Sequence, residues 1–556
     1  MKTSLRQSMA WLHTWCGLWL GWLLFAVFLT GSLGVFHAAV TRWMQPERLM
    51  VAAGAVDNER ALAHAQHYLE RHAPQSAHWE IAFPASDDAA MHLHWDGQAS
   101  GGDGQAREVR LDPITGTVLP PARDTLGGQH FVLFHYALHA GMTGVWIIAA
   151  ATMVMLVAMV SGIVTHKRFF KDFFTFRPGK GQRSWLDAHN ALGVLTLPFL
   201  LMIAYTGLVI WWPDTMPAGI RTYYEGSEAK LFRALGQAGW LEPKALPPAG
   251  APAALVALPT LLADARERLA AGAGADSADS ADSAIRSVAV TRPGTSTASV
   301  AIAGPYRYDG LAFAAQRELH YDGVSGAYLS TKAEDEMVGT GGAAPLVAGS
   351  VMRTLHMARF GGYAVKWLYF ACGLAGAAMM ATGLLLFSAK RGNRKAQEFG
   401  AASARVYGAI DRLNVAAIGG LAIACAGYLW GNRLLPVALP ERHEWEIAVF
   451  FAMWLAAAAH ALASPPASAW PRQLALAGLL CLALPLLNAL TTGWHVLRYL
   501  AHGDGQSAGL ELGALALGAL LLWAAARVRR GGRGGRQTMP RSPAKRGRAV
   551  AALGDA

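Results

Sequence analysis

With 556 residues, 53% of them hydrophobic, only 15% charged and 19 of them Trp, the chain is too long and too apolar for a single soluble domain. Its formal net charge of +11 comes largely from the tail after Leu522, which contains the Arg- and Gly-rich stretch RVRRGGRGGR. Beside a membrane helix, such a tail reads as an orientation signal near anionic lipid rather than as a nucleic-acid contact.

A helix needs about 20 apolar residues to cross a bilayer. Eight runs qualify, at roughly 12–37, 140–165, 188–212, 363–388, 407–430, 445–463, 474–497 and 509–527. The seventh is interrupted by Pro485 and Asn488. The first has no clear A-x-A site and is read as an uncleaved span. Basic residues cluster at Lys2 and Arg6, from Lys167 to Arg183, from Lys390 to Lys395, and in the tail. All four clusters share one side only if both termini are cytoplasmic, by the positive-inside rule. Cys16, Cys372, Cys425 and Cys481 all lie in apolar runs, with no C-x-x-C-H among them, and read as small buried hydrophobes.

Two polar segments, 44–133 and 213–349, interrupt the spans and fall on the outer face. The first contains a helical pattern, ERALAHAQHYLERHA. Each ends in a related stretch, VRLDPITGTVLP and LHYDGVSGAYLS, sharing D-x-x-[ST]-G-x-x-[LV] from Asp112 and from Asp322. Alternating strand residues around a Gly-containing turn predict a hairpin, and each segment is expected to be a small α+β module. The stretch AAGAGADSADSADSA, 271–285, reads as a flexible loop. His64, His67, His72, His78, His92 and His94 cluster in the first module. Solvated surface histidines are the expectation there, with a weak metal or iron-complex contact as the sharper alternative.

The spans repeat as well. His13 and His189 are each followed by Gly four residues later and by Thr-Gly from the seventeenth residue (Thr30-Gly31, Thr206-Gly207). His135 is followed by Gly141, Trp146 and Ser161-Gly162, and His356 by Gly362, Trp367 and Thr382-Gly383, at the same offsets of 6, 11, 26 and 27. The first half is therefore read as a duplicated unit of helix, outer module and helix. Thr-Gly pairs of this kind let helices approach closely. His139 fails the repeat test because Phe360 stands at its equivalent position, as Phe387 does for His166 and Pro213 for His37.

Positions related by a pseudo-two-fold face each other. The duplication thus predicts that His13 meets His189 near the cytoplasmic face and that His135 meets His356 near the outer face. Two facing imidazoles suit the axial positions of a haem iron, and two bis-His b-type haems would form an electron path across the membrane. A bare Zn²⁺ would want three or four ligands. His139 is held as the reserve ligand to His135. His460 and His495 have no partners at matching offsets and read as structural. No nucleotide or flavin fingerprint is convincing, since GLAGAAMMATG lies inside a span. The electron donor is then a quinol, a flavin or a separate reductase.

The stretches LHTWCGLWLGWLL…TGSLGVF, LDPITGTVL, LDAHNALGVLTLPFLLMIAYTG and LHMARFGG…GLAGAAMMATGLLLF reproduce an order and spacing over about residues 8–395. In these the chain resembles the PepSY-associated transmembrane family, which includes iron-regulated inner-membrane proteins and ferric-siderophore reductases. The resemblance implies a four-helix core with two haems, held by His13, His189, His135 and His356, and two periplasmic PepSY-like modules. It also implies reduction of Fe³⁺ in a siderophore to Fe²⁺, with release of the metal. The apolar runs and polar segments divide the chain into 1–43, span 1; 44–133, first module; 134–212, spans 2 and 3; 213–349, second module; 350–395, span 4; 396–527, a four-helix extension; and 528–556, a disordered tail. Spans 5–8 depart from the four-helix pattern; they could bind quinol, form a dimer face or stabilise the core. Two rival functions are a non-redox module that binds a periplasmic peptidase or relays an envelope signal, and a transporter. A transporter would show charges at the midplane of spans 1–4, which are almost free of them.

Overall fold

The computed structural model describes residues 4–49, 51, 56–85, 88–96, 107–166, 177–227, 230–231, 248, 250–271, 285–309, 312–333, 344–392 and 399–534. The low-complexity stretch (272–284), much of the basic connectors (167–176 and 393–398) and the tail from 535 lie outside the described residues. Residues 528–534, expected to begin the disordered tail, instead continue the last helix to Gly534.

Eight described helices are long and apolar enough to cross a membrane: Leu5–Gly34, Gly141–Thr165, Gln182–Ile210, Gly362–Arg391, Gly400–Leu434, Arg442–Ala463, Pro466–Thr492 and Gly505–Arg530. They match the eight apolar runs in order and are called spans 1–8. Span 1 starts on a capping box, in which Ser4 accepts from Gln7 N–H and Gln7 reaches back to Ser4 N–H. Span 7 runs unbroken through Pro485 and stops at Gly493, whose φ of +72° closes the helix in the left-handed conformation glycine tolerates.

The two polar segments do not stand apart. β1 (His78–Ala82), β2 (Met91–Trp95) and β3 (Arg107–Leu111) from the first join β4 (Ser287–Thr291), β5 (Ser299–Asp309), β6 (Ala312–Asp322) and β7 (Tyr328–Ala333) from the second. They form one antiparallel sheet of order β3-β2-β1-β4-β5-β6-β7. The seam is the β1–β4 pair, with Trp79 opposite Val290 and Ile81 opposite Val288. Alternate residues (Ile81, Leu93, Val288, Ile302, Leu319) point to one face. That face is covered by helix Asn58–His72 through Leu62 and Leu69 and by helix Leu262–Ala271 through Leu262 and Ala265. Each fully buried aliphatic side chain is worth about 1.5–3 kcal/mol. A seam of such residues makes one folding unit of two segments far apart in sequence.

The paired Asp-x-x-[ST]-Gly motifs fold alike. Asp112 accepts from Ile114 and Thr115 N–H, and Asp322 from Val324 and Ser325 N–H. Gly116 and Gly326 follow at φ +70° and +73°. After Asp322 the chain returns as β7; after Asp112 only the single bridge Leu111–Val118 forms.

On β2 and β3, both ring nitrogens of His92 meet carboxylates, Asp88 at 3.0 Å and Glu108 at 2.8 Å. Bonding to Asp88 and then Glu108 raises its pKa from 6.5 to about 9. Burial pushes Asp88 up, but His92, the Ala90 N–H, Arg110 and Arg48 overcome this and hold it at about 2, against 3.8. The His92 contribution is complete below pH 6.5 and is lost as pH rises through 9, whereas that of Asp88 is complete above pH 3.8 and is lost as pH falls through 2. We therefore expect His92→Gln to lower the unfolding midpoint of the sheet, followed by Trp79 and Trp95 fluorescence, by most near pH 5 and by little above pH 9. A deficit independent of pH would show that the ion pairs do not act.

Spans 5–8 join the rest of the chain through a buried polar network. Arg433 lies 3.8 Å over the Trp43 ring, donates to the backbone oxygens of Trp43 and Met44, and meets Asn488 Oδ1 at 2.7 Å. Asn488 donates to Glu511 (2.7 Å) and to the Tyr499 hydroxyl (3.0 Å). Arg42 pairs with Asp504 at 2.9 Å. Such groups persist within a membrane protein only when they satisfy one another.

Candidate functional site: two facing histidine pairs

Spans 1–4 form a ring in which span 1 packs on spans 2 and 4 and span 3 packs on the same two. Within it the ring centres of His13 and His189 lie 6.1 Å apart, and those of His135 and His356 lie 6.2 Å apart. The second pair is on the side of the β-sheet, the first on the far side. The seventeen residues from His13 to Thr30 separate the two levels by about 25 Å at 1.5 Å per residue.

Each histidine sits in a seat provided by a neighbouring span. Nδ1 of His135 lies 2.8 Å from Val27 O, that of His13 2.8 Å from Ala158 O, and that of His189 2.9 Å from Met379 O. Those carbonyls stand three residues before Thr30, Ser161 and Thr382, whose hydroxyls donate to the same oxygens. His356 Nδ1 lies 3.1 Å from Thr206 Oγ1, which itself donates to Met202 O. The glycine that follows each hydroxyl residue lies under the ring. A Cβ at Gly31 would come 2.5 Å from His135 Nδ1, and one at Gly162, Gly207 or Gly383 would come 3.0–3.1 Å from His13, His356 or His189 Cε1. The repeated Ser/Thr-Gly pairs therefore accommodate rings rather than a helix–helix contact.

This seat fixes the tautomer. At His13, His135 and His189 the carbonyl only accepts, so Nδ1 carries the proton; at His356 the Thr206 hydroxyl gives its own proton to Met202 O and so accepts from Nδ1. Nε2 keeps its lone pair, without a hydrogen bond in any of the four rings among the described residues. Backbone anchoring of one nitrogen is the usual support of a metal-ligating imidazole. Two imidazoles on opposite sides of one metal ion, with metal–nitrogen bonds of about 2 Å, would have ring centres about 6 Å apart. Among the described residues, the one group of three or more potential ligands is Glu441, His443 and Glu444, outside spans 1–4. The pairs therefore suit an ion whose other positions are filled by its own macrocycle better than bare Zn²⁺.

His139 does not join the His135 pair. Leu138 and His139 turn the chain at φ +53° and +54°, and His139 Nε2 comes to 3.0 Å from His130 Nδ1. His130, which the sequence reading passed over, is fully buried and stacks on Tyr428 of span 5 at 4.1 Å. Its equivalent in the second half is Val351, so the repeat carries no trace of it. Elsewhere, His64 packs against Gly116, His72 stacks on Tyr68, His166 meets Asn190, His460 meets Gln473, and His495 caps helix Val496–Ala501.

The profile of the PepSY-associated TM region matches residues 10–390. The chain is also similar to an uncharacterised protein of Pseudomonas aeruginosa, 27% identical over 424 residues, covering 73% of this chain and 96% of that protein. All four paired histidines fall inside the matched region. With that match over more than half its length and eight apolar helices, the chain is a multi-pass membrane protein that belongs to the PepSY-associated TM family.

Proposed function

We propose that the protein is an inner-membrane electron-transfer enzyme of the ferric-siderophore reductase type, with both termini in the cytoplasm and the sheet in the periplasm. It would take electrons from the cytoplasmic side or the quinol pool and reduce siderophore-bound Fe³⁺ to Fe²⁺. The observation that carries this reading is the matched pairs of histidines anchored through Nδ1 with unengaged Nε2 atoms, one pair at each level of a ring of four spans. His13 with His189, and His135 with His356, would each hold one b-type haem. When bound, these groups supply one-electron redox centres. The chain itself fixes three of the imidazole tautomers through a carbonyl and that of His356 through the Thr206 hydroxyl, clears the ring's space with glycine, and excludes water with apolar helices. The pseudo-two-fold placement of the pairs supports a duplicated two-helix unit, and the basic connectors support the orientation.

The test is the visible spectrum of the purified protein, oxidised and dithionite-reduced. We expect a low-spin b-type spectrum with two haems per chain, halved by His135→Ala and retained in His139→Ala. Haem-replete wild-type protein without a haem band would overturn the reading in favour of a peptidase-binding or signalling role.

A further inference from the structure

The two sheet-side histidines are held by different parts of the chain. Helix Ala344–His356, which carries His356, packs on span 3 and on β6. The segment leading into helix Gln129–Ala137, which carries His135, is bonded at successive residues by spans 5 and 6. Arg123 Nη1 donates to Asn432 O (3.2 Å), and Arg442 Nη1 donates to Asp124 O (3.2 Å). Thr125 donates to the carboxylate of Glu446, and the Tyr428 hydroxyl donates to Gly127 O (2.9 Å). The Tyr428 ring then stacks on His130, five residues before His135 on the same helix. Tyr428 and Glu446 are both fully buried.

We infer that spans 5–8 act as a strut for the sheet-side pair, with Tyr428 and Glu446 as positioning residues that fix His135 through the segment 123–130. Span 5 also meets spans 1 and 4, where Asn414 accepts from Trp22 Nε1 (2.8 Å) and donates to Ser388 Oγ (3.0 Å), so the strut acts in addition to the contacts that hold the ring. Its effect on bound haem rests on the function proposed above; its effect on the polypeptide does not.

The test uses full-length protein carrying Thr125→Val and Tyr428→Phe together, which removes two hydroxyls and keeps both shapes. Amide exchange is expected to quicken across 123–137 and to stay unchanged across 344–356. In the haem-loaded protein, the low-spin signal that His135→Ala abolishes should shift or weaken. Retention at that site should fall about tenfold, the lower end of what loss of an outer support does to a metal ligand. The far-side signal should stay as in wild type, and restoring Thr125 as Ser should recover part of the loss. Unchanged exchange across 123–137, or an equal rise across 344–356, would overturn the inference. Wild-type protein without haem would remove the proposed function while leaving the exchange result to decide the strut.

Discussion

If the histidine pairs hold haem as proposed, Gly31→Ala should leave a folded protein with about half of it. The added Cβ would stand 2.5 Å from His135 Nδ1, closer than any real contact, so the ring must leave its seat and give up Val27 O. The helix itself gains from the change, by about 1 kcal/mol in intrinsic propensity, while overpacking costs about 1–3 kcal/mol. These nearly cancel, so the damage concentrates in the site. Displacing an anchored ligand lowers metal affinity by about 10–100-fold. Gly162→Ala is the graded partner: its Cβ meets His13 Cε1 at 3.1 Å, so a shift of a few tenths of an ångström relieves it, and a partial loss confined to the far-side signal is expected. Haem per chain measured as the pyridine complex, together with the two low-spin ferric signals, reads both variants. Full haem and unaltered signals in Gly31→Ala would mean that His135 is not a ligand.

The same glycines show what could be read from the sequence and what could not. The eight spans were legible because apolar length alone decides them. The pairing of His13 with His189 and of His135 with His356 was legible because duplicated offsets carry geometry. The offsets 17 and 26 were visible as well, yet their meaning was not. A Thr-Gly pair in an apolar helix looks the same whether a helix or an imidazole lies against it, and the partner ring comes from a different span. The seam between β1 and β4 was hidden for a related reason. Trp79 and Val290 read as ordinary strand residues in two separate modules, and nothing local marks that their edges meet. His130 was invisible because its environment comes from Tyr428, Phe450 and His139, two of which lie some 300 residues away.

Glu446→Ala should destabilise the protein by about 3–5 kcal/mol, the usual cost of stripping one partner from a buried ion pair. Arg442 and Glu446 face each other one helical turn apart with both side chains fully buried, and neither charge can reach water when the other is gone. Arg442 also donates to the oxygens of Asp124, Asn432 and Leu435, while Glu446 accepts from Thr125 and Asn432. The carbonyls soften the loss for a stranded Arg442, so Glu446→Ala should fall at the lower end of that range. Arg442→Met leaves a carboxylate with only a hydroxyl and an amide, and should fall at the upper end. Arg442→Met with Glu446→Ala removes both charges and should cost less than the sum of the two single changes by about 1–3 kcal/mol, a coupling that distant sites do not show. Unfolding midpoints in one detergent for the wild type, both single variants and the double variant measure it. Additive losses would mean that each side chain acts only through its backbone contacts, and that spans 5 and 6 hold the 123–130 segment without an ion pair at its centre.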